Sequence, residues 1–356
     1  NLWSDSSGIY VLGLNASPNY PYRGANYWMD WEKPVSVEYF DKQKNRVFQF
    51  DAGFKINGNY SRTKPQKSFE VLLDNDYGTP EIEYPLIPEK TAVNKYSAFV
   101  LRNAGTDWNV VHFRDGLMQR IMKNTHSGYL GYEPCELFLN GRYWGVYELR
   151  SNDNHRYVES NYGYSKNEID LLFEGGNLEV KNGSDTGFIN LYNYALAANP
   201  LDSGFYVKMD NQVDLKNYTD YFIAETYYIN NDWIGDWNNN IKLWRPRKAG
   251  GKWRYILYDL DFGLGLYSNH NYNKLEELMS PSSQNHQSDI FNKMIQNPTY
   301  RNYFINRYAD LVNTIYQPNN IKNIAYEMRD SIAADMPLQF ARWGSSMANW
   351  SQNMAN

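Results

Sequence analysis

The chain has 356 residues, 35 Lys+Arg against 40 Asp+Glu for a formal net charge of −5, and 42% hydrophobic and 17% aromatic residues. That content can build a large core and excludes a disordered chain, and the slight acidic excess argues against a generic nucleic-acid binder, which needs basic residues for phosphate contacts. No run of about 18 apolar residues occurs, so no transmembrane segment is expected, and Cys135, the single cysteine, excludes a disulfide scaffold.

At roughly 150 residues per domain the length suggests two domains, or one domain with two lobes. Asn1-Leu2-Trp3-Ser4-Asp5 has neither a basic nor an apolar stretch, as expected if a signal peptide has been removed. The Asn-x-Ser/Thr triplets at Asn15, Asn59, Asn182, Asn217 and Asn349 are what chance gives in an Asn-rich chain. Residues 1 to about 100 read as strands and turns. Val35–Phe40 and Arg46–Phe50 alternate, and Lys67–Leu73 is a short run bounded by turn residues. Gly53–Arg62 reads as a strand, a Gly/Asn turn and a return.

Helical spacing follows at Arg114–Asn124, with Leu117, Met118, Ile121 and Met122 on one face. Glu136–Tyr147 is the clearest hairpin, because two apolar runs flank Asn140-Gly141. From about residue 186 helices dominate: Leu215–Ile229 with Asp214 as N-cap, Tyr300–Tyr316 and Ile321–Ala334. Trp253–Gly263 interrupts them as a strand. The layout is a β-rich first part, residues 1–150, and a mainly helical second part, residues 151–356. No internal repeat occurs.

Three constellations have chemical potential. In an extended Tyr258–Gly263, Tyr258, Leu260 and Phe262 face the core while Asp259 and Asp261 emerge together. Two such carboxylates repel unless a cation or proton lies between them, and all-oxygen ligands suit Mg²⁺, Mn²⁺ or Ca²⁺; two solvated acids at a strand end are the other reading. Asn231–Asn240 follows a helix and precedes a strand. A carboxylate, then an amide, then an acidic strand end is the order of kinase catalytic sites, whereas on its own the segment reads as an Asx-rich turn. Gly53, Gly58, Ser61, Arg62, Lys64 and Lys67 form a glycine turn with basic followers, able to hold phosphates or to be a twisted hairpin with a solvated face. Zinc catalysis is disfavoured by the absence of HExxH and HxH, and no GxSxG occurs. Paired acids for glycoside hydrolysis have no diagnostic spacing.

Taken in order, these segments resemble the CotH kinase family, a family of bacterial spore-coat and cell-surface proteins. The resemblance is carried by Gly53-Phe54-Lys55-Ile56-Asn57-Gly58 with Ser61-Arg62 and Lys67-Ser68-Phe69, by Leu101-Arg102-Asn103 and Phe113-Arg114-Asp115, and by Phe138–Tyr147. It ends in Asn231-Asp232-Trp233, Asn239-Asn240 and Tyr258–Gly263, and Gly8-Ile9-Tyr10-Val11 with Asn26-Tyr27-Trp28 resembles the lead-in to this domain in surface proteins. It implies an α+β, atypical protein-kinase-like fold with a β-rich N-terminal lobe and a mainly helical C-terminal lobe, and ATP with Mg²⁺ (or Mn²⁺ or Ca²⁺) as cofactors. By resemblance Asp232 is the catalytic Asp that orients the acceptor hydroxyl. Asn240, its neighbour Asn239, Asp259 and Asp261 are the metal-binding positions. Gly58, Ser61, Arg62 and Lys67 lie near the phosphates. The implied partner is a protein with Ser or Thr acceptors, and the implied location is secreted or on the cell surface or envelope.

One departure stands out. Relatives usually continue past the hairpin to Leu-x-Glu or Leu-Arg-Glu, whereas here Leu149-Arg150 is followed by Ser151. By resemblance a Glu there anchors a phosphate-binding Lys or reaches a cation; here that role falls to Glu148 or Asp153, or is empty. The alternative is therefore a weak or inactive kinase-like surface module that binds protein or polysaccharide in the manner of an adhesin.

Overall fold

The computed structural model describes residues 13, 15–235, 237–267, 269–280 and 285–355. The Gly8-Ile9-Tyr10-Val11 segment and Asp236 lie outside the described residues. With about 40% helix and 23% strand, the fold is mixed α+β. The chain forms two compact units. The first holds the described residues up to Phe113, Tyr132–Asn152, and those from Arg329 onward; the second holds Arg114–Gly131 and Asp153–Met328.

The first unit is built on an antiparallel sheet of β1 (Lys33–Phe40), β2 (Arg46–Asn57), β3 (Ser68–Leu72), β6 (Ala98–Arg102), β9 (Arg142–Arg150) and β8 (Glu133–Leu139), in the order β1-β2-β3-β6-β9-β8. A two-stranded ribbon, β4 (Ile82–Glu83) and β5 (Lys95–Tyr96), accompanies it. Strand alternation sorts the faces. Register places Phe54 opposite Val71, Phe69 opposite Leu101 and Leu101 opposite Leu149, and these side chains enter one buried core. Within it the Phe54 and Phe69 rings stack at 4.4 Å. Removing such a ring costs about 3–5 kcal/mol. The residues between them, Lys55, Glu70, Val100, Arg102, Glu148 and Arg150, share the other face.

The β8–β9 hairpin turns on Asn140 at φ 50° and Gly141 at φ 75°, the two positive values that a two-residue turn matched to strand twist requires. The strand return expected after Gly58 is instead a 3₁₀ turn, Tyr60–Thr63, and the chain returns to the sheet where Ser68 pairs with Asn57. Local hydrogen bonds explain the difference. Arg62 Nε donates to Gly58 O at 2.5 Å, and Thr63 Oγ1 to Tyr60 O at 2.8 Å. Gly58 sits at φ 92°, and a Cβ there would lie 2.2 Å from Ser61 Oγ. Helices α10 (Met336–Trp343) and α11 (Met347–Ala355) complete this unit, and α10 packs on β9.

The second unit has a five-stranded sheet ordered β11 (Asn177–Asn182), β10 (Ile169–Gly175), β12 (Ile241–Pro246), β13 (Arg254–Leu257) and β7 (Gly128–Tyr129), antiparallel except for the β13–β7 pair. It is therefore less purely helical than its sequence suggests. The β10–β11 hairpin was not expected, because Leu171-Leu172-Phe173 is an apolar run whose periodicity fits a buried strand or a buried helix equally.

Its helices are α1 (Arg114–Ile121), α2 (His155–Tyr162), α3 (Thr186–Ala197), α4 (Ser203–Gln212), α5 (Leu215–Tyr227), α6 (Lys274–Met279), α7 (His286–Gln296) and α8 (Pro298–Val312); α9 (Pro318–Ile332) carries the boundary between units. Helix α5 is capped as expected, Asp214 accepting from the Asn217 N–H at 3.3 Å. It is buried nearly all round, as a core helix must be, and several of its polar groups are paired. Asp220 accepts twice from Arg307, at 2.7 and 2.9 Å, and Asn217 donates to Tyr255 O at 3.1 Å.

Candidate functional site

The segment after α5 turns sharply. Ile229 has φ 53°, and Asn230, fully buried, folds back on the helix end. Its Nδ2 donates to Glu225 Oε2 at 2.9 Å, and its Oδ1 accepts from the Asp232 N–H at 3.2 Å. Trp233 is buried and donates through Nε1 to the Tyr221 hydroxyl at 2.9 Å. These two anchors fix the backbone on both sides of Asp232. The far end of the loop closes on the same carboxylate. Asn239 Nδ2 donates to both oxygens at 3.2 and 3.3 Å, and Asn240 Nδ2 to Oδ2 at 2.9 Å and to Asp232 O at 3.1 Å. Asn238 and Asn240 take φ of 44° and 56°, a conformation that Asn tolerates better than most residues. The expected Asx-rich turn and the expected acid–amide constellation are the same object: the amides that shape the turn bind Asp232.

The second acidic segment departs from its sequence reading. Strand β13 ends at Leu257, and Asp259 has φ 54°, so the alternation that would put Asp259 and Asp261 on one exposed face is broken. Asp259 is half-buried and Asp261 is buried. Helix α1 holds the segment in place: Gln119 Nε2 donates to Leu257 O at 3.0 Å, and Asp115 Oδ1 accepts from the Leu260 N–H at 2.9 Å. The Leu264 N–H donates to Tyr228 O at 2.8 Å, which joins this segment to the end of α5.

Electrostatics ties the pieces together. Burial pushes the Asp232 carboxyl above its ordinary range, hydrogen bonds from Asn239 and Asn240 oppose this, and the charge of Asp259 adds to the rise. Glu225 is pushed up to about 8 by complete burial, with Asp115 and Asp232 adding to it; its Oε1 takes no hydrogen-bond partner among the described residues. Lys242, two residues past Asn240, is a cation the sequence reading missed. Its Nζ lies 2.5 Å from Asp153 Oδ2 and 4.2 Å from the centroid of the Tyr258 ring. A lysine inside the apolar Ile241–Trp244 run was the available signal.

Among the described residues no three His, Cys, Asp or Glu side chains form a metal cage. The donors present nevertheless fit a hard cation. Asp232 and Asp259 are carboxylates, and the charge of Asp259 reaches that of Asp232. Asn240 donates through Nδ2 to Asp232, so its planar amide presents Oδ1 the other way. Mg²⁺ keeps several waters and uses one or two carboxylates with substrate phosphates, so a closed cage is not required.

The remaining sequence candidates lie in the first unit. Arg62 spans the glycine turn to Gly58 O, and its Nη1 reaches Tyr27 O at 3.4 Å. Lys67 is buried, bonded to Lys64 O, with Nζ 4.6 Å from the centroid of the Tyr27 ring. Burial pushes its amine down to about 6. Glu148 is buried on the charged sheet face, 3.2 Å from Arg150 and 3.7 Å from Arg102. Lys55 and Glu70, directly opposite each other on β2 and β3, are 3.4 Å apart. Asn152 donates to Glu70, while Asn152 Oδ1 and Ser151 Oγ are buried without a hydrogen-bond partner in the chain. Lys55, Glu70, Arg102 and Arg150 were missed, although Lys55 and Glu70 each stand between two apolar strand neighbours.

A model of the CotH kinase protein family matches residues 54–356, and the chain belongs to that family. No curated protein matches the chain. No helix among the described residues is long and apolar enough to cross a membrane.

Proposed function

We propose that this CotH kinase family member transfers the γ-phosphoryl group of ATP to a Ser or Thr hydroxyl of an envelope, coat or secreted protein, with Mg²⁺ or another hard divalent cation. The observation that supports the reading best is the Asp232 carboxylate, fixed by the amides of Asn239 and Asn240 within electrostatic reach of Asp259. Phosphoryl transfer asks a protein mainly for positioning and charge neutralisation. Asp232 orients the acceptor hydroxyl and takes its proton at a carboxylate oxygen; its raised proton affinity makes it a better base than an ordinary Asp. Asp259, with the Oδ1 of Asn240 or Asn239 and with Asp261 close in sequence, would hold the cation, which when bound neutralises phosphate charge. In the first unit Gly58, Ser61, Arg62 and Lys67 are assigned to the phosphates, and Glu148, beside Arg102 and Arg150, to anchoring a basic side chain. Lys67, uncharged above about pH 6, takes up a proton when a phosphate comes to it.

A thermal-shift titration with ATP, with and without Mg²⁺, combined with transfer of labelled phosphate to a Ser/Thr-rich protein, tests the reading. Binding stabilises the fold by mass action, and Asp232→Asn and Asp259→Ala abolish transfer. If the wild-type chain neither binds ATP nor phosphorylates any acceptor in the presence of a metal, the kinase reading is lost. The second reading, a weak or inactive surface module, is supported by Ser151, whose buried hydroxyl without a partner stands where relatives usually carry Glu.

A further inference from the structure

A cavity of about 450 Å³ opens in the first unit, between the Trp108-Asn109 turn, the C-terminal end of α10 at Trp343, and α11. Its size falls within the roughly 300–1,000 Å³ of small-ligand pockets. Its lining has a narrow chemistry: two indoles, then Asn, Gln and Ser side chains and a glycine, with no ionisable group among the described residues that line it. A phosphate, a carboxylate or a basic peptide would find no counter-charge among these residues; the neighbouring Arg342 guanidinium lies over the Trp144 and Trp343 rings, 4.1 and 4.8 Å from their centroids.

The two indoles are held in place. Trp108 Nε1 donates to Gln66 Oε1 at 2.8 Å, and Trp343 Nε1 to Trp144 O at 2.7 Å. Gln66 is buried and donates to Val146 O at 2.9 Å; Gln339, also buried, donates to Gln66 Oε1 at 2.6 Å. Close backbone approach makes this packing possible: a Cβ on Gly145, at φ 134°, would lie 2.5 Å from Gln339 Oε1 and 2.8 Å from Trp343 Nε1. With both N–H groups engaged inside the protein and the Arg342 guanidinium 4.8 Å from the Trp343 ring centroid, the indoles enter the lining as ring surface rather than as hydrogen-bond donors.

The opposite wall is anchored as firmly. Trp350 Nε1 donates to Val111 O at 2.9 Å, and Asn353 Nδ2 to Val110 O at 3.1 Å. On this wall Asn349 and Gln352 are exposed. Ser345, at the rim, is held at φ 134°, a strained value for a residue with a Cβ and one that marks functional loops. Fixed aromatic faces opposite adaptable amide donors and acceptors match a pyranose ring, whose axial C–H groups pack on an indole while its hydroxyls exchange hydrogen bonds with amides. Preorganisation of the aromatic surface lowers the entropy that binding must offset.

We propose that this cavity is a binding site for a neutral saccharide, separate from the phosphoryl-transfer residues and independent of whether they are active. The test titrates the full chain with cellotriose, maltotriose, triacetylchitotriose and trigalacturonic acid, read by tryptophan fluorescence and saturation-transfer NMR. The expected result is saturable binding of at least one neutral trisaccharide with Kd of roughly 1 mM or tighter, weakened about tenfold in Trp343→Ala and unchanged in Asp232→Asn. Because Trp343→Ala removes an internal hydrogen bond, the double variant Asn349→Ala/Gln352→Ala, at exposed positions, serves as the second probe; it keeps the wild-type melting temperature and loses affinity. The proposal is overturned if no neutral trisaccharide binds, if the acidic one binds more tightly, or if binding is indifferent to the variants.

Discussion

In the first unit Lys55, Glu70, Arg102, Glu148 and Arg150 take their places from strand register, each on an extended backbone and paired across a sheet. In the second unit Asp232, Asn240 and Asp259 take theirs from a chain that leaves regular structure, with left-handed residues at Ile229, Asn238, Asn240 and Asp259. The sheet fixes charges by repetition and buries Glu70, Glu148 and Arg150 among them, so their energies act mainly on stability. The loop cluster keeps its carboxylates half in solvent, at strained positions of the kind that persist when the surroundings over-determine them. The difference teaches where to expect function to fail without unfolding, and where the two should fail together.

The largest effect is expected in the loop. Asp232→Asn keeps the shape of the side chain but removes the base, and phosphoryl transfer should fall by about 10²–10⁴-fold. The melting temperature should change little, because relief of a carboxylate disfavoured by burial and by Asp259 is offset by turning one acceptor oxygen into an NH₂ that faces the Asn239 and Asn240 amide donors. Transfer assays and thermal melts on the same sample check both halves. A large loss of stability would mean that Asp232 is a structural tie for the Asn239–Asn240 turn, and the contrast between the two regions would break.

The sheet should behave in the opposite way. Glu70→Ala leaves Lys55 without its cross-strand partner and strips the acceptor from Asn152. Truncating one member of a buried pair costs about 2–4 kcal/mol here, since Lys55 keeps some solvent access. Urea unfolding followed by tyrosine and tryptophan signals measures it. A change below about 0.5 kcal/mol would place this pair with ordinary surface ion pairs.

How much of this was legible follows from the same contrast. The β8–β9 hairpin was readable because Asn140-Gly141 states its turn locally, and α5 because Asp214 states its cap. Gly58 and Arg62 were recognised as a turn, but its 3₁₀ form depends on where the Arg62 guanidinium lands. The charged sheet face was not readable, since 55 meets 70 and 102 meets 148 only after strands distant in the chain select their register. Asp259 and Asp261 were recognised as acids of interest. Their shared face was inferred from an extended backbone, and one positive φ at Asp259 undoes that geometry. Asp232, Asn239 and Asn240 were found by order and spacing, yet Asn230 and Glu225, which fix the loop from beneath, offer no sequence signal beyond being polar near the end of a helix.

A titration of stability sharpens the comparison, since the two units should slope in opposite directions. Lys67 falls from the usual 10.5 to about 6 in the folded chain. Between these values the unfolded chain holds more protons, so this contribution is complete above about 10.5 and is lost as the pH falls through about 6. Glu225 rises from the usual 4.5 to about 8. Its contribution is complete below about 4.5 and is lost as the pH rises through about 8. Lys67→Met should therefore remove a rising component of stability against pH, and Glu225→Gln a falling one. Denaturant unfolding at a series of pH values resolves the two slopes. If both variants shift the curve in the same direction, one of these groups is paired in a way that its burial does not reveal.

The smallest effect is expected where the chain departs from its relatives. Ser151 is buried, and its Oγ has no hydrogen-bond partner in the chain. An unpartnered buried hydroxyl contributes nothing to set against its desolvation, so Ser151→Ala should leave stability unchanged or raise it by up to about 1 kcal/mol. That near-silence gives the variant its diagnostic value. Ser151 Oγ and Asn152 Oδ1 are unused hydrogen-bonding atoms beside the Glu70, Glu148 and Arg150 charges. If the hydroxyl donates to bound nucleotide, Ser151→Ala weakens ATP binding about tenfold with the apo melting temperature intact. If ATP affinity is the same in both proteins, the hydroxyl makes no contact with the nucleotide, and the near-silence of Ser151→Ala extends from stability to binding.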